Sequence, residues 1–237
     1  MKLPKIDLPL FEIEIPSTKK RVKFRPFTVK EEKILLIAKE SKDIEQFIIA
    51  TSQIIENCVQ GIDVKDLAVF DIEYLLLNIR SKSVSNRIEF SIKDPDTEEA
   101  VDLEFDIENI SVKFDPNHSR FINADEKNVI IMKYPTFEQI KMLSSINGND
   151  VSERNKVLTN IMMSCIDGIQ SEDILYKMSD FSKSDIDEFI DNLPAHVIES
   201  IEKFFSTMPV LRHEVKYVNS NGTEKTYIVE GMQTFFI

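Results

Sequence analysis

Arg21–Ser41 reads RVKFRPFTVKEEKILLIAKES, and this stretch decides the fold class. Its first part alternates, with apolar Val22 and Phe24 between basic Arg21, Lys23 and Arg25, the two-residue period of a half-buried strand. Pro26 has no amide hydrogen for a ladder and ends that strand. Thr28 then stands where a helix cap belongs, with Glu31 three residues on. At that spacing a hydroxyl and a carboxylate can serve the orphan amides of a helix start. Behind it Ile34, Leu35, Ile37 and Ala38 recur at helical spacing, which predicts a helix laid against a core by its isoleucine and leucine face. Strand, turn and helix follow one another too closely for an all-helical or an all-β chain.

The same alternation of periods extends outward. Upstream, Leu10 to Ile15 pairs with the Arg21 run across the turn Pro16–Lys19, a β-hairpin. Downstream, a helix is expected from about Asp43 to Gln60, with Phe47, Ile48, Ile54, Ile55 and Cys58 on its apolar stripe and Gly61 as its stop. Asp66 to Arg80 is apolar on nearly all sides, which predicts a central buried helix. The period then drops to two: Arg87–Ile92 and Ala100–Ile107 read as strands around the turn Asp94–Thr97. Ile130–Met132 is the expected strand of the mixed stretch 109–135. Helices are expected over Thr136–Ile146, Ser152–Ile166, Ser182–Leu193 and Pro194–Met208. A closing hairpin joins Leu211–Val218 to Tyr227–Glu230 through Asn219–Gly222. The expectation is an α+β chain, mostly helical with short antiparallel β-hairpins, divided into residues 1–115 and 116–237. Each half runs from helices into a hairpin, either as a duplicated unit or by chance.

Bulk properties exclude several classes. At 237 residues the chain can bury a sizeable core. Its net charge of −12 opposes a nucleic-acid footprint, which needs clustered lysine and arginine. Lys19, Lys20, Arg21, Lys23 and Arg25 do cluster, and they read first as a guarded strand edge and second as a contact for an acidic partner. Five glycines are few for phosphate-cradling loops. Cys58 and Cys165 lie inside apolar helical patterns and read as small buried hydrophobes, with a disulfide as the lesser reading. No apolar run reaches membrane-span length and MKLPKIDLPLF has no signal-peptide core, so a soluble protein made in the cytoplasm is expected.

Residues suited to chemistry are sparse. His118, His196 and His213 have no second ligand at zinc spacing and read as surface or turn residues. Asp94, Asp96, Glu98, Glu99 and Asp102 lack the spaced loop of a calcium site and read as a solvated turn. No nucleophile motif or phosphate-binding loop occurs. Asp185, Asp187 and Glu188 fall at a helix start, where carboxylates favour the dipole. No catalytic residue, cofactor or metal is therefore expected, and the alternative is a hydrolase with an acidic pair in a cleft between the halves. The tail, ending Phe235-Phe236-Ile237, either docks into the core or inserts into a partner.

Arg25–Lys33, RPFTVKEEK, resembles the RPF-x-VKEEK stretch of baseplate hub proteins of T4-like contractile-tailed bacteriophages. The resemblance continues in Phe70–Leu77, FDIEYLLL, and in Arg80–Val84, RSKSV, and covers roughly the first 110 residues. It implies a non-enzymatic tail baseplate protein, either a hub subunit or a hub assembly factor, that acts on other hub or tail proteins. Neither nucleic acid nor membrane is implied as a partner, and self-association is open. The implied location is the host cytoplasm during assembly or the virion baseplate. Relatives often carry a cysteine pair in the hairpin after R-x-KS, whereas Phe90–Pro95 here has none. The resemblance makes Arg25, Phe27, Lys30 and Glu31 the first partner-binding candidates, followed by Arg80, Lys82, Phe235 and Phe236.

Overall fold

A computed structural model describes residues 6–41, 43–139 and 151–231. The chain forms two compact units, Met1–Lys113 with Val210–Ile237, and Phe114–Pro209.

In the first unit β1 (Phe11–Glu14) and β2 (Arg21–Phe24) form the expected hairpin, with Phe11 opposite Phe24 and Glu14 opposite Arg21. α1 (Val29–Ser41) and α2 (Ile44–Cys58) follow, and Asp43 caps α2 by accepting from the Glu45 amide at 2.9 Å. Gly61 does not stop that helix directly. The chain turns first into β3 (Val59–Gln60), which pairs with β2, and Gly61 then takes a positive φ of 74°.

α3 (Val69–Ser83) is the central helix expected from its all-round apolar pattern, and Ile72, Leu75, Leu76, Leu77 and Ile79 have almost no exposure. Burying each such side chain contributes about 1.5–3 kcal/mol relative to leaving it in water. β4 (Arg87–Lys93) and β5 (Ala100–Asp106) form a second hairpin in register Arg87↔Asp106. The short β6 (Ser111–Lys113) pairs with β11 (Val210–Val218), which pairs in turn with β12 (Glu224–Glu230). The closing hairpin thus belongs to the unit that opens the chain.

The second unit is built on one antiparallel sheet of order β10-β9-β8-β7, comprising β7 (Phe121–Asn123), β8 (Asn128–Met132), β9 (Ile166–Ser171) and β10 (Ile174–Lys177). α4 (Val151–Ser164), α5 (Lys183–Asp191) and α6 (Ala195–Ser206) complete it. Its core gathers Ile122, Ile130, Met132, Ile161, Cys165, Val197, Ile201 and Phe204. The helix expected over Thr136–Ile146 begins at residue 137, and its remainder lies outside the described residues.

Two expectations need correcting. The expectation of a mostly helical chain fails: the described structure is 41% helix and 30% strand, with four antiparallel sheets of two to four strands. The fold remains α+β, but its two compact units are built differently. The second correction concerns α1, whose expected core face is only partly covered: Ile34 and Leu35 are half-buried beside buried Ala38, while Ile37 is exposed. Only Glu31 and Ala38 are buried there, and Leu36 and Ile37 are 52% and 66% exposed. Periodicity showed that the helix is apolar on a stripe without showing that this chain covers only part of it.

Candidate functional site

The corner where β2 passes into α1 is organised by one carboxylate. The Arg25 amide donates to the Cys58 carbonyl at 2.9 Å, extending the contact between β2 and β3, and buried Pro26 turns the chain. Glu31, 2% exposed, then faces back across the helix start. Its Oε2 accepts from the Thr28 amide at 2.8 Å and from Thr28 Oγ1 at 2.5 Å, and its Oε1 accepts from Arg25 Nη2 at 3.0 Å. Arg25 Nη1 also donates to the Pro26 carbonyl at 2.9 Å. The glutamate half of the capping box is present as expected, while Thr28 Oγ1 takes the Lys30 amide, at 3.3 Å, in place of the third-residue amide. Burial on its own pushes the Glu31 carboxyl up, but hydrogen bonds from Arg25 and Thr28 outweigh it and hold the group at about 2. The same bond raises Arg25.

The other family-like stretches close onto this corner. Phe27, half-buried, donates its amide to Ser83 Oγ at 2.9 Å, which ties the corner to the end of α3. Asp71, fully buried, accepts from the Ser17 amide at 2.9 Å, from the Ser17 hydroxyl, and from the Ala68 amide at 3.3 Å. Burial dominates there and raises the Asp71 carboxyl against those hydrogen bonds. RPFTVKEEK, FDIEY and RSKS are thus hydrogen-bonded into a frame of β1–β2 turn, corner and central helix.

The expected partner-binding residues have different fates within that frame. Arg25 and Glu31 are engaged with each other, and Phe27 is half-buried. Lys30 is exposed on the first turn of α1. Arg80 is half-buried, its guanidinium lowered by desolvation, and its Nε has no hydrogen-bond partner among the described residues. Lys82 lies 3.7 Å from Glu108 and 5.8 Å above the Phe11 ring, a contact that covers its stem. Phe235 and Phe236 lie outside the described residues. The basic strand residues Lys19 and Lys23 meet Glu14 and Glu12 across the hairpin, at 4.0 and 3.7 Å.

Three features were not legible in the sequence. Asp94 is not in a solvated turn: it has no exposure, and its oxygens accept from the Asp96 amide at 3.0 Å, the Thr97 amide at 2.9 Å and Tyr217 Oη at 2.8 Å. Lys225 bridges Asp94 at 3.7 Å and Asp96 at 2.5 Å. Burial raises the Asp94 carboxyl, and the Tyr217 and turn hydrogen bonds more than reverse this, so it sits well below the usual carboxylate range. Tyr217 lies 123 residues from Asp94, so no local pattern could join them. His118 is a half-buried member of an aromatic stack rather than a surface residue. Its ring lies 5.6 Å from Tyr134 and 5.1 Å from Phe204, with its nitrogens bonded to Thr207 Oγ1 and Tyr134 Oη. The third feature is β10 itself, an exposed strand that no local pattern announced.

Exposed large apolar side chains are scattered over the described residues, from Ile6 to Ile228, and two sets of them lie close together in sequence. On α1, Val29 (65%) and Leu36 lie seven residues apart on one face, with Ile37 beside them. On β10, Ile174, Leu175 and Tyr176 are exposed together. Among the described residues no His, Cys, Asp and Glu group could hold a metal ion. Asp185, from the acidic helix start, is bound to Ser182 in a capping box. No described helix is long and apolar enough to cross a membrane.

The family described as T4 bacteriophage base plate protein matches residues 8–237, nearly the whole chain. The chain belongs to that family. No curated protein and no solved structure matches it.

Proposed function

We propose that this chain is a non-enzymatic protein of the phage tail baseplate hub, a structural subunit or an assembly factor, acting through contacts with other hub or tail proteins. The observation that carries the reading is the family match over residues 8–237. It is supported by what the family-like residues do: Arg25, Glu31, Phe27, Ser83 and Asp71 form the hydrogen bonds of one frame. Large apolar side chains meanwhile stand outside the core on α1 and β10.

The frame gives the expected contact residues distinct tasks. Arg25 and Glu31 hold the first turn of α1 in place. Lys30, with Val29, Leu36 and Ile37 on the same helix, then presents charge and apolar area to a partner. Lys82 lies partly exposed on α3 beside Arg80. Assembly in the host cytoplasm and residence in the virion baseplate both fit this role. Two measurements test it. Purified chain mixed with the other baseplate proteins encoded alongside it should co-elute with at least one hub or tail protein. Mass spectrometry of purified particles then separates a resident subunit, found in the particle, from an assembly factor, found only in intermediates. A folded chain that binds none of them contradicts the proposal.

A further inference from the structure

The four-stranded sheet of the second unit ends in a strand that, among the described residues, pairs on one side only. β10 (Ile174–Lys177) pairs with β9, and all four of its residues are exposed. Natural sheets guard such edges with charge, proline or a covering segment, because the unpaired amides and carbonyls template another strand. Here three successive large apolar residues, Ile174, Leu175 and Tyr176, precede the single charge of Lys177.

The register fixes which backbone groups are free. Glu172 and Asp173 form a two-residue loop between the partners Ser171 and Ile174, with Glu172 at a φ of 52°. Residues flanking such a loop exchange both backbone hydrogen bonds, and pairing alternates beyond them. Ile174 and Tyr176 therefore direct their backbone groups to β9, whereas Leu175 and Lys177 direct theirs outward. Gly168 on β9 agrees with this: a Cβ there would lie 2.7 Å from the Tyr176 carbonyl oxygen, which points inward.

The charges indicate which strand fits. Asp173 and Lys177 stand two residues to either side of Leu175, both exposed, and neither forms an ion pair among the described residues. An antiparallel copy placed about a two-fold axis through Leu175 sets Leu175 opposite itself and Ile174 opposite Tyr176. It also sets Asp173 opposite Lys177 of the second copy, twice. This register joins outward-facing residues to outward-facing residues, as the free backbone groups require. Centring the axis on Tyr176 instead would oppose Leu175 to Lys177 and leave Asp173 facing Ser179. We propose that β10 is a self-association edge, through which two copies of the chain join their sheets antiparallel about Leu175. This goes beyond the contact with other baseplate proteins, and neither proposal depends on the other.

Leu175→Cys tests it on the full-length purified chain. Partner residues in a hydrogen-bonded antiparallel pair have Cα atoms about 5.5 Å apart, within the range a disulfide spans. Cys58 and Cys165 are both buried and do not compete. Mild oxidation should give a disulfide-linked dimer from L175C, and much less from I174C, whose partner in this register is Tyr176. Adding K177D to L175C places aspartates opposite one another at both ends and should lower the dimer yield about tenfold or more. Adding D173K as well should restore it. Circular dichroism matching the parent confirms that each variant is folded. A folded L175C that stays monomeric, equal yields from I174C and L175C, or no recovery in D173K/K177D overturns the proposal.

Discussion

Replacing Glu31 by alanine removes the carboxylate that anchors the β2–α1 corner, and the structure sets the size of the loss. The group falls from an ordinary 4.5 to about 2 in the fold, and each tenfold change in proton affinity is about 1.36 kcal/mol, so its folded environment favours the charged form by about 3 kcal/mol. With Glu31 only 2% exposed, solvent screening leaves most of that in force. Glu31→Ala also strands the Arg25 guanidinium, whose side chain is 24% exposed, with only the Pro26 carbonyl. The expected destabilisation at neutral pH is about 3 kcal/mol, within the span for breaking one side of a buried pair. Glu31→Gln keeps an acceptor for the Thr28 amide and should lose about half as much. Because the folded value lies below the unfolded one, the stabilisation is fully present above about pH 4.5 and disappears as the pH falls toward 2. Urea unfolding followed by circular dichroism reads this as a lower midpoint at unchanged slope, in the transition of the first unit. A Glu31→Ala midpoint equal to wild type at pH 7, or a wild-type-to-Gln difference that persists unchanged at pH 2, would refute the reasoning.

Three further outcomes follow from the geometry. Tyr217→Phe removes the 2.8 Å bond to Asp94; NMR titration should show the Asp94 carboxyl moving up toward the ordinary range, with a lowered urea midpoint, and an unmoved carboxyl contradicts the arrangement. Gly168→Ala puts a methyl group 2.7 Å from the Tyr176 carbonyl oxygen and should destabilise the second unit by about 1–3 kcal/mol, the usual range for overpacking; a midpoint like wild type would mean that β10 yields freely. Burial pushes the thiols of Cys58 and Cys165 up to about 11 and 12, so a thiol-titrating disulfide reagent at pH 8 should label neither until denaturant is added.

Local pattern carried much of the fold into view. The β1–β2 hairpin, the buried α3, the β4–β5 pair and the capped α5 follow from period, turn chemistry and helix-start residues that act within a few positions. What escaped has non-local causes. The destination of the closing hairpin depends on β6 pairing with β11, a contact between distant segments with no shared motif. Ile166, read as the last turn of a helix, is the first residue of β9, because it pairs with Met132 of β8, with Gly168 opposite Ile131 and Asp167 bulged between them. Missing β9 also concealed β10. In α1 the error was of another kind: the apolar stripe predicts a covered face, and this chain buries Ala38 and half-buries Ile34 and Leu35 but leaves Ile37 exposed. The candidate contact residues were found where resemblance was densest, yet Arg25 and Glu31 pair with each other, while the adjoining Lys30, with Val29, Leu36 and Ile37, faces solvent.

In the proposed function the chain works by binding other baseplate proteins. Quantitative co-elution of the folded, full-length chain with each separately purified baseplate protein encoded alongside it tests this most directly. A stable complex with at least one hub or tail protein is expected, weakened when exposed Val29 and Ile37 of α1 are replaced by aspartate. A chain that stays folded and elutes alone in every mixture contradicts it.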